Sequence, residues 1–266
     1  MTKSDYIFAD TQLQSELTRL QALETVCDPL SQRLLEATGI TTNWHCLEIG
    51  AGAGSIMRWM SNKVGMSGRV TAIDMNTRFI KNVRLNNVEI IEADANRVDL
   101  AEESFDLIHV RHVLVHQQDR HLLNKILRLL KPQGWLVIEE PDFSQTKFIT
   151  GTQIQQQAVT KVNLAICQMF TNQGKDYALG AKLPSLLQQL NLQQIGVEND
   201  VPISAGGSDI ALLMKLSARQ LTEKYLATNK VTQADIETYC EFADNPTSWG
   251  IFLATVGVVA QKEFKT

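Results

Sequence analysis

The chain lacks a membrane-length apolar run, a basic cluster and closely spaced cysteines, and each absence removes a class of function. The longest apolar stretch, residues 250–260, has eleven residues and is interrupted by Thr255, whereas a bilayer span needs roughly 20. Residues 1–10 carry charges and no apolar core, so they do not read as a secretory signal. Lys and Arg total 25 against 29 Asp and Glu, for a formal net charge of -4. They are not gathered into a patch, which excludes a protein built chiefly to grip a phosphate backbone. Cys27, Cys46, Cys167 and Cys240 are far apart and form no CxxC pair, so zinc and dithiol redox chemistry are not indicated and no metal is expected. Internal repeats, low-complexity tracts and linkers are missing too. The composition fits a reduced, cytoplasmic protein with a small-molecule partner and no nucleic acid. Oligomeric state stays open, with a homodimer as the candidate assembly.

What is present is an alternation of strands and helices. Residues 11–38 have helical spacing, with Leu13, Leu17, Leu20 and Leu23 on one face. Asp28-Pro29 has the form of an N-cap followed by a first-turn proline, which predicts two consecutive helices ahead of the first strand. Strands are expected at 45–49, 69–74, 88–92, 105–110 and 135–140, with helices at 55–64 and 77–85. A further helix near 123–130 stops before Pro132. Strands separated by helices at this spacing indicate βαβ units and a parallel sheet. Beyond Pro141 the rhythm changes, with helices expected at 153–172, 183–190, 208–228 and 232–243 and strands at 192–203 and 249–262. Ile154, Val159, Val162, Ile166 and Phe170, then Ile210, Leu213, Leu216 and Leu221, form apolar helix faces. The fold class is α/β: a Rossmann-like, mostly parallel, seven-stranded sheet with helices on both faces. It is read as one domain with an N-terminal helical cap (1–40), a cofactor-binding core (41–142) and helical lid insertions (143–180 and 207–245).

The segment richest in chemistry is HCLEIGAGAG, residues 45–54. Gly50, Gly52 and Gly54 let the backbone turn sharply and approach a ligand with no Cβ in the way, and the helix after them aims free N–H groups into the same crevice. The spacing is GxGxG. The dinucleotide fingerprint is GxGxxG, and Ser55 stands where its third glycine would fall. Glu48 lies two positions before the first glycine. Both features suit a cofactor carrying an amino-acid tail rather than a pyrophosphate.

Residues 46–142 resemble the class I S-adenosylmethionine-dependent methyltransferases, in particular the small-molecule group that includes ubiquinone, menaquinone and natural-product enzymes. EIGAGAG (48–54) matches that family's first motif, (D/E)xGxGxG, at each fixed position. The resemblance implies S-adenosylmethionine as cofactor, held by Glu48, Gly50, Ala51, Gly52 and Gly54. It implies that Asp74 takes the ribose hydroxyls, that Met75 packs against adenine, and that Asp94-Ala95 meets the adenine amino group. FDLIHVRHVLVH (105–116) is similar to the fourth motif and brings Val110, Arg111 and His116 to the cofactor side. LLKPQGWLVI (129–138) is similar to the following helix–turn–strand, with Gln133 where the family prefers glycine. Tyr6 is the candidate aromatic to fold over the cofactor, as N-terminal aromatics do in related enzymes.

Methyl transfer from a sulfonium is a displacement on an activated electrophile, so holding acceptor and methyl together supplies much of the catalysis. A base is required only if the acceptor loses a proton. His112, just past the fourth strand, and Glu140, at the end of the fifth with Glu139 and Asp142, are the candidates for that task. His109, inside the strand, reads as a hydrogen-bonded core histidine. The numerous apolar helix faces suggest a covered pocket and a small, partly apolar organic acceptor. Two other readings stay open: a non-catalytic S-adenosylmethionine-binding protein, and an NAD(P)-dependent Rossmann oxidoreductase. The missing third glycine, Glu48 and Asp94 count against the latter.

Overall fold

The computed structural model describes residues 13–263, and the chain divides into two compact units. One comprises Cys27–Glu140, Gly180–Glu198 and the chain from Val256 onward; the other comprises the residues up to Val26, Pro141–Leu179 and Asn199–Thr255.

The first unit holds a seven-stranded sheet. Its strands are β1 (His45–Ile49), β2 (Arg69–Asp74), β3 (Val88–Glu92), β4 (Phe105–Arg111), β5 (Leu130–Pro141), β7 (Gln193–Asp200) and β10 (Thr255–Gln261), in the order β3-β2-β1-β4-β5-β10-β7. β1 pairs in parallel with β2 on one side and β4 on the other, β2 with β3, and β4 with β5. Strand order therefore reverses at β1. In open α/β sheets the crevice beyond the carboxyl ends at such a reversal is where ligands bind. Helices α2 (Ser55–Val64), α3 (His121–Leu129) and α5 (Leu179–Gln189) belong to this unit, as does the second half of α1 (Leu13–Ala37). Leu30, Leu34 and Leu35 of α1 and Ile56, Met57, Met60 and Val64 of α2 form one core with Cys46, Leu107, Val137 and Val259 of the strands. The intervening strand residues Leu47, Ile49, Ile108, Val110, Leu136 and Ile138 are equally buried. Burial on both faces explains why these strands read as continuous apolar runs rather than alternating ones.

The second unit is built on α4 (Gln153–Asn172), α6 (Asp209–Gln220), α7 (Thr222–Leu226) and α8 (Gln233–Asp244), with a three-stranded sheet β6-β9-β8. Its strands are β6 (Lys147–Thr150), β8 (Ser204–Ala205) and β9 (Trp249–Ile251). Capping boxes set the starts of two helices: Thr152 with Gln155 for α4, and Thr232 with Asp235 for α8. Phe242 of α8 packs between Phe148 and Phe252, with ring centroids 5.7 and 5.3 Å away.

Several expectations are corrected. The two N-terminal helices are one, with Pro29 inside α1. Asp28 does not act as an N-cap, because its Oδ1 accepts from Arg111 and from Ser55 instead. The helix expected over 77–85 shrinks to a 3₁₀ turn, Thr77–Phe79, capped by Asn76 and held by the Thr77 amide donating to Glu92 at 3.2 Å. The helix expected over 208–228 breaks at Leu221 into α6 and α7. The final strand expected over 249–262 is two strands in different sheets, β9 and β10. Both parts are apolar because each enters a core, and periodicity cannot mark the passage from one core to another. Ile154, read as part of an apolar helix face, is 70% exposed. Among the described residues no helix is long and apolar enough to cross a membrane.

Glu140 fixes the exit of β4. It is fully buried, and its Oε1 accepts the amides of Val113 (3.0 Å) and Leu114 (2.7 Å) while Oε2 accepts that of Val115 (3.1 Å). Burial pushes its carboxyl from the ordinary 4.5 up to about 8, against the opposing pull of those amides. Glu140→Ala leaves three buried N–H groups without that acceptor and is expected to cost about 3 kcal/mol in denaturant unfolding near pH 5. The folded carboxyl holds its proton to a higher pH than the unfolded one, so its contribution is complete below 4.5 and fades as pH rises through about 8. The gap between wild type and variant should therefore narrow with rising pH. A gap that widens would contradict this.

Candidate functional site

The loop after β1 is shaped by glycine and tied to β2. Gly50, Gly52 and Gly54 have φ of 81°, 56° and 89°, left-handed values that side chains disfavour. At Gly50 space adds a second demand, because a Cβ would lie 2.4 Å from Val113 Cγ2. The Gly50 and Ala51 amides donate to the carbonyl of Ile73 at 2.8 and 3.3 Å. The Gly52 amide donates to Asp74 Oδ2 at 2.8 Å. α2 then begins at Ser55 with no side-chain cap on its N-terminus.

Asp74 is the hub of the strand tips. Besides Gly52, its Oδ1 accepts from the Asn76 amide at 2.9 Å, and its carbonyl accepts from the Ala93 amide at 3.0 Å. The last contact ties the exit of β3 to the tip of β2 and brings Asp94 and Ala95 close by. Asp94 Oδ1 accepts from the Asn96 amide at 2.9 Å, and Asn96 Nδ2 donates to Gln117 Oε1 at 3.0 Å. The Ala95 carbonyl accepts from Lys125 Nζ at 2.8 Å. Met75, beside Asp74, is 52% exposed. An apolar side chain next to a carboxylate, a group that accepts from hydroxyl donors, suits a nucleoside. The glycine cradle, Asp74, Met75 and Asp94 together fit the adenosyl cofactor that the sequence implies.

Other residues expected at the site sit deeper. Glu48 is 3% exposed, and its Oε1 lies 3.7 Å from His109 Nδ1. Val110 is fully buried, paired with Ile49 and Ile138. The Arg111 guanidinium is bound to Asp28 Oδ1 and Ser31 Oγ, both at 2.8 Å. Burial alone would lower its pKa, but Cys27, Glu139 and Asp28 raise it, so it stays charged. His112 has φ of 53° and donates its amide to the Glu139 carbonyl at 2.8 Å. His116 ends the 3₁₀ turn Leu114–His116. Glu140, as described above, is occupied by three amides. Tyr6 lies outside the described residues.

Asp28, Ser31 and Ser55 join this arrangement without having been singled out as site residues. The dipeptide Asp28-Pro29 concealed the first as a helix cap, and nothing in a lone sequence pairs it with Arg111 83 positions on. Gln133, the departure from the family pattern, has φ of 61°. It occupies in strained form a left-handed turn position that the family fills with glycine.

A family model described as a methyltransferase domain matches residues 47–138. A ubiquinone/menaquinone biosynthesis C-methyltransferase, UbiE, from Pseudomonas savastanoi is 32% identical over 117 residues, covering 40% of this chain and 45% of the relative. Methyltransferase str2 from Strobilurus tenacellus is 38% identical over 106 residues, covering 37% of this chain and 36% of the relative. The chain thus spans less than half the length of these curated relatives. Among solved structures, a Haemonchus contortus phosphoethanolamine N-methyltransferase 2, in complex with phosphomonomethylethanolamine and S-adenosylhomocysteine, aligns over 98% of this chain and 61% of its own. Its TM-score is 0.57 at 17% identity, which is a likeness of fold. The segment matched by the methyltransferase-domain model contains the loop, the strand tips and the acidic residues described above.

Proposed function

We propose that the protein transfers a methyl group from S-adenosylmethionine to a small, partly apolar organic acceptor and releases S-adenosylhomocysteine. The observation that carries the reading is the Gly52–Asp74 hydrogen bond, 2.8 Å long. It sets a backbone cradle against a carboxylate at the point where strand order reverses. Asp74 then accepts the ribose hydroxyls in charge-assisted bonds, Met75 covers one face of the base, and Asp94 accepts from its amino group. The loop 50–54 and the start of α2 receive the amino-acid tail.

The bound cofactor supplies a methyl group already activated by a sulfonium. What the chain supplies is position: strand tips and a loop tied to one another by hydrogen bonds. His112, held in a left-handed conformation at the exit of β4, is our candidate for the group that meets the acceptor. Glu140 supports it by fixing the backbone of the following turn. The name of the UbiE relative supports an acceptor with apolar character.

Isothermal titration of the full chain tests the reading. S-adenosylhomocysteine should bind and NAD should not. Asp74→Ala should weaken S-adenosylhomocysteine by about 100-fold, the loss of two hydrogen bonds to a charged group. Gly50→Ala should abolish measurable binding, because φ of 81° and Val113 both oppose a methyl group there. Affinity for NAD with none for S-adenosylhomocysteine would replace the reading with the oxidoreductase one. Transfer of labelled methyl across a panel of small acceptors then separates an enzyme from a binding protein.

A further inference from the structure

His109 is a buried titratable group that the scheme above does not use. In the parallel register Glu48 of β1 stands opposite His109 of β4, and Arg111, two residues further on, stands opposite Glu139 of β5. Strand alternation therefore puts all four side chains on one face of the sheet. His109 Nε2 lies 2.9 Å from Glu139 Oε1, and Nδ1 lies 3.7 Å from Glu48 Oε1. Glu48, His109 and Glu139 are all at most 3% exposed. The second oxygens of Glu48 and Glu139, and Nδ1 of His109, have no hydrogen-bond partner among the described residues, and the imidazole lies between the two carboxylates.

A neutral imidazole has one N–H and can serve one of these carboxylates, turning a lone pair towards the other. An imidazolium donates to Glu139 through Nε2 and faces Glu48 with a charged Nδ1–H at ion-pair distance. Burial opposes that charge, but Glu139 and Glu48 outweigh it and raise the pKa of His109 above its ordinary 6.5. Arg111 makes a second clamp from the same strand. Through Asp28 Oδ1, which accepts from Arg111 Nη1 at 2.8 Å and from Ser55 Oγ at 2.9 Å, it reaches the first residue of α2. The two clamps hold opposite ends of the glycine loop: His109 at the end of β1, and Arg111 at the start of the helix.

We propose that His109 is a positioning residue for the cofactor: as an imidazolium between Glu48 and Glu139, it fixes the end of β1 and so keeps the loop 50–54 in the form that receives the amino-acid tail. This rests on the function proposed above. It follows that affinity for the cofactor declines as pH rises through the raised pKa of His109 and the imidazolium is lost. The groups facing this array are Glu48 from β1, Glu139 from β5, Arg111 from β4 itself, and Asp28 and Cys27 from α1. Glu140, on the opposite face of β5, also titrates, near pH 8, so a variant must isolate the histidine.

The test uses the full chain and S-adenosylhomocysteine as probe. Titrations are run from about pH 6 to pH 9, together with nitrogen-15 NMR of the histidine rings. Two protonated ring nitrogens are expected for His109 at neutral pH, with its signal identified by its loss in His109→Gln. That variant keeps a hydrogen bond but no charge. It should bind roughly tenfold more weakly at pH 6.5 and show a flatter pH profile than wild type. Glu139→Gln should lower the pKa of the ring. A singly protonated ring at pH 6.5, or a folded His109→Gln with affinity within about twofold of wild type, overturns the proposal. If His109→Gln does not fold, wild type alone decides. Saturation with S-adenosylhomocysteine must then raise the ring pKa by linkage, and an unchanged pKa overturns the proposal. A wild type that binds no S-adenosylhomocysteine removes the methyl-transfer reading and this one with it, whereas variants that bind as well as wild type remove this one alone.

Discussion

A loop of glycine and alanine alone has no polar side chains to hold it, and in this protein the Gly52 amide donating to Asp74 Oδ2 at 2.8 Å ties it to β2. Glycine gives the backbone freedom to turn and to approach a ligand, and the same freedom is an entropic cost when the loop is ordered. Two amides on the Ile73 carbonyl and one on Asp74 offset that cost. Because Asp74 also accepts from Asn76 and its carbonyl from Ala93, one residue sets the spacing of the β1, β2 and β3 exits. The positions of the loop and the three strand tips are thus fixed by hydrogen bonds from backbone amides.

The other constraint is charge beneath the loop. Adjacent residues Glu139 and Glu140 of β5 point to opposite faces and are compensated in different ways. Glu140 receives three backbone amides. Glu139 meets the ring of His109. The Glu140 carboxyl itself titrates, its pKa raised to about 8 by burial, whereas beside Glu139 it is the imidazole that titrates. Buried ions of this kind contribute little net stability relative to apolar residues of the same shape. The placement of the His109 and Arg111 pairs towards the two ends of the glycine loop is better explained by precision of position than by stabilisation of the fold.

Much of this was legible in the residues. The strands at 45–49, 69–74 and 88–92 agree with β1, β2 and β3. EIGAGAG marked the loop through its spacing alone. Misreadings occurred where a distant partner overrode a local signal. Asp28-Pro29 has the chemistry of a helix start, but Arg111 and Ser55 take its carboxylate and α1 runs on. Residues 77–85 were read as a helix, but only the 3₁₀ turn Thr77–Phe79 forms, anchored to Glu92 by the Thr77 amide. The three-stranded sheet β6-β9-β8 went unseen because its strands have four, three and two residues, too few for any period to show. The clamp on the loop was equally invisible, since the register that sets Glu48 beside His109 exists only once β1 and β4 pair.

The most direct test of the account is a crystal structure of the full chain with S-adenosylhomocysteine. It should show both ribose hydroxyls within hydrogen-bonding distance of the Asp74 carboxylate and the homocysteine tail against the backbone of residues 50–54. A nucleoside bound elsewhere, or bound with its ribose away from Asp74, would contradict it.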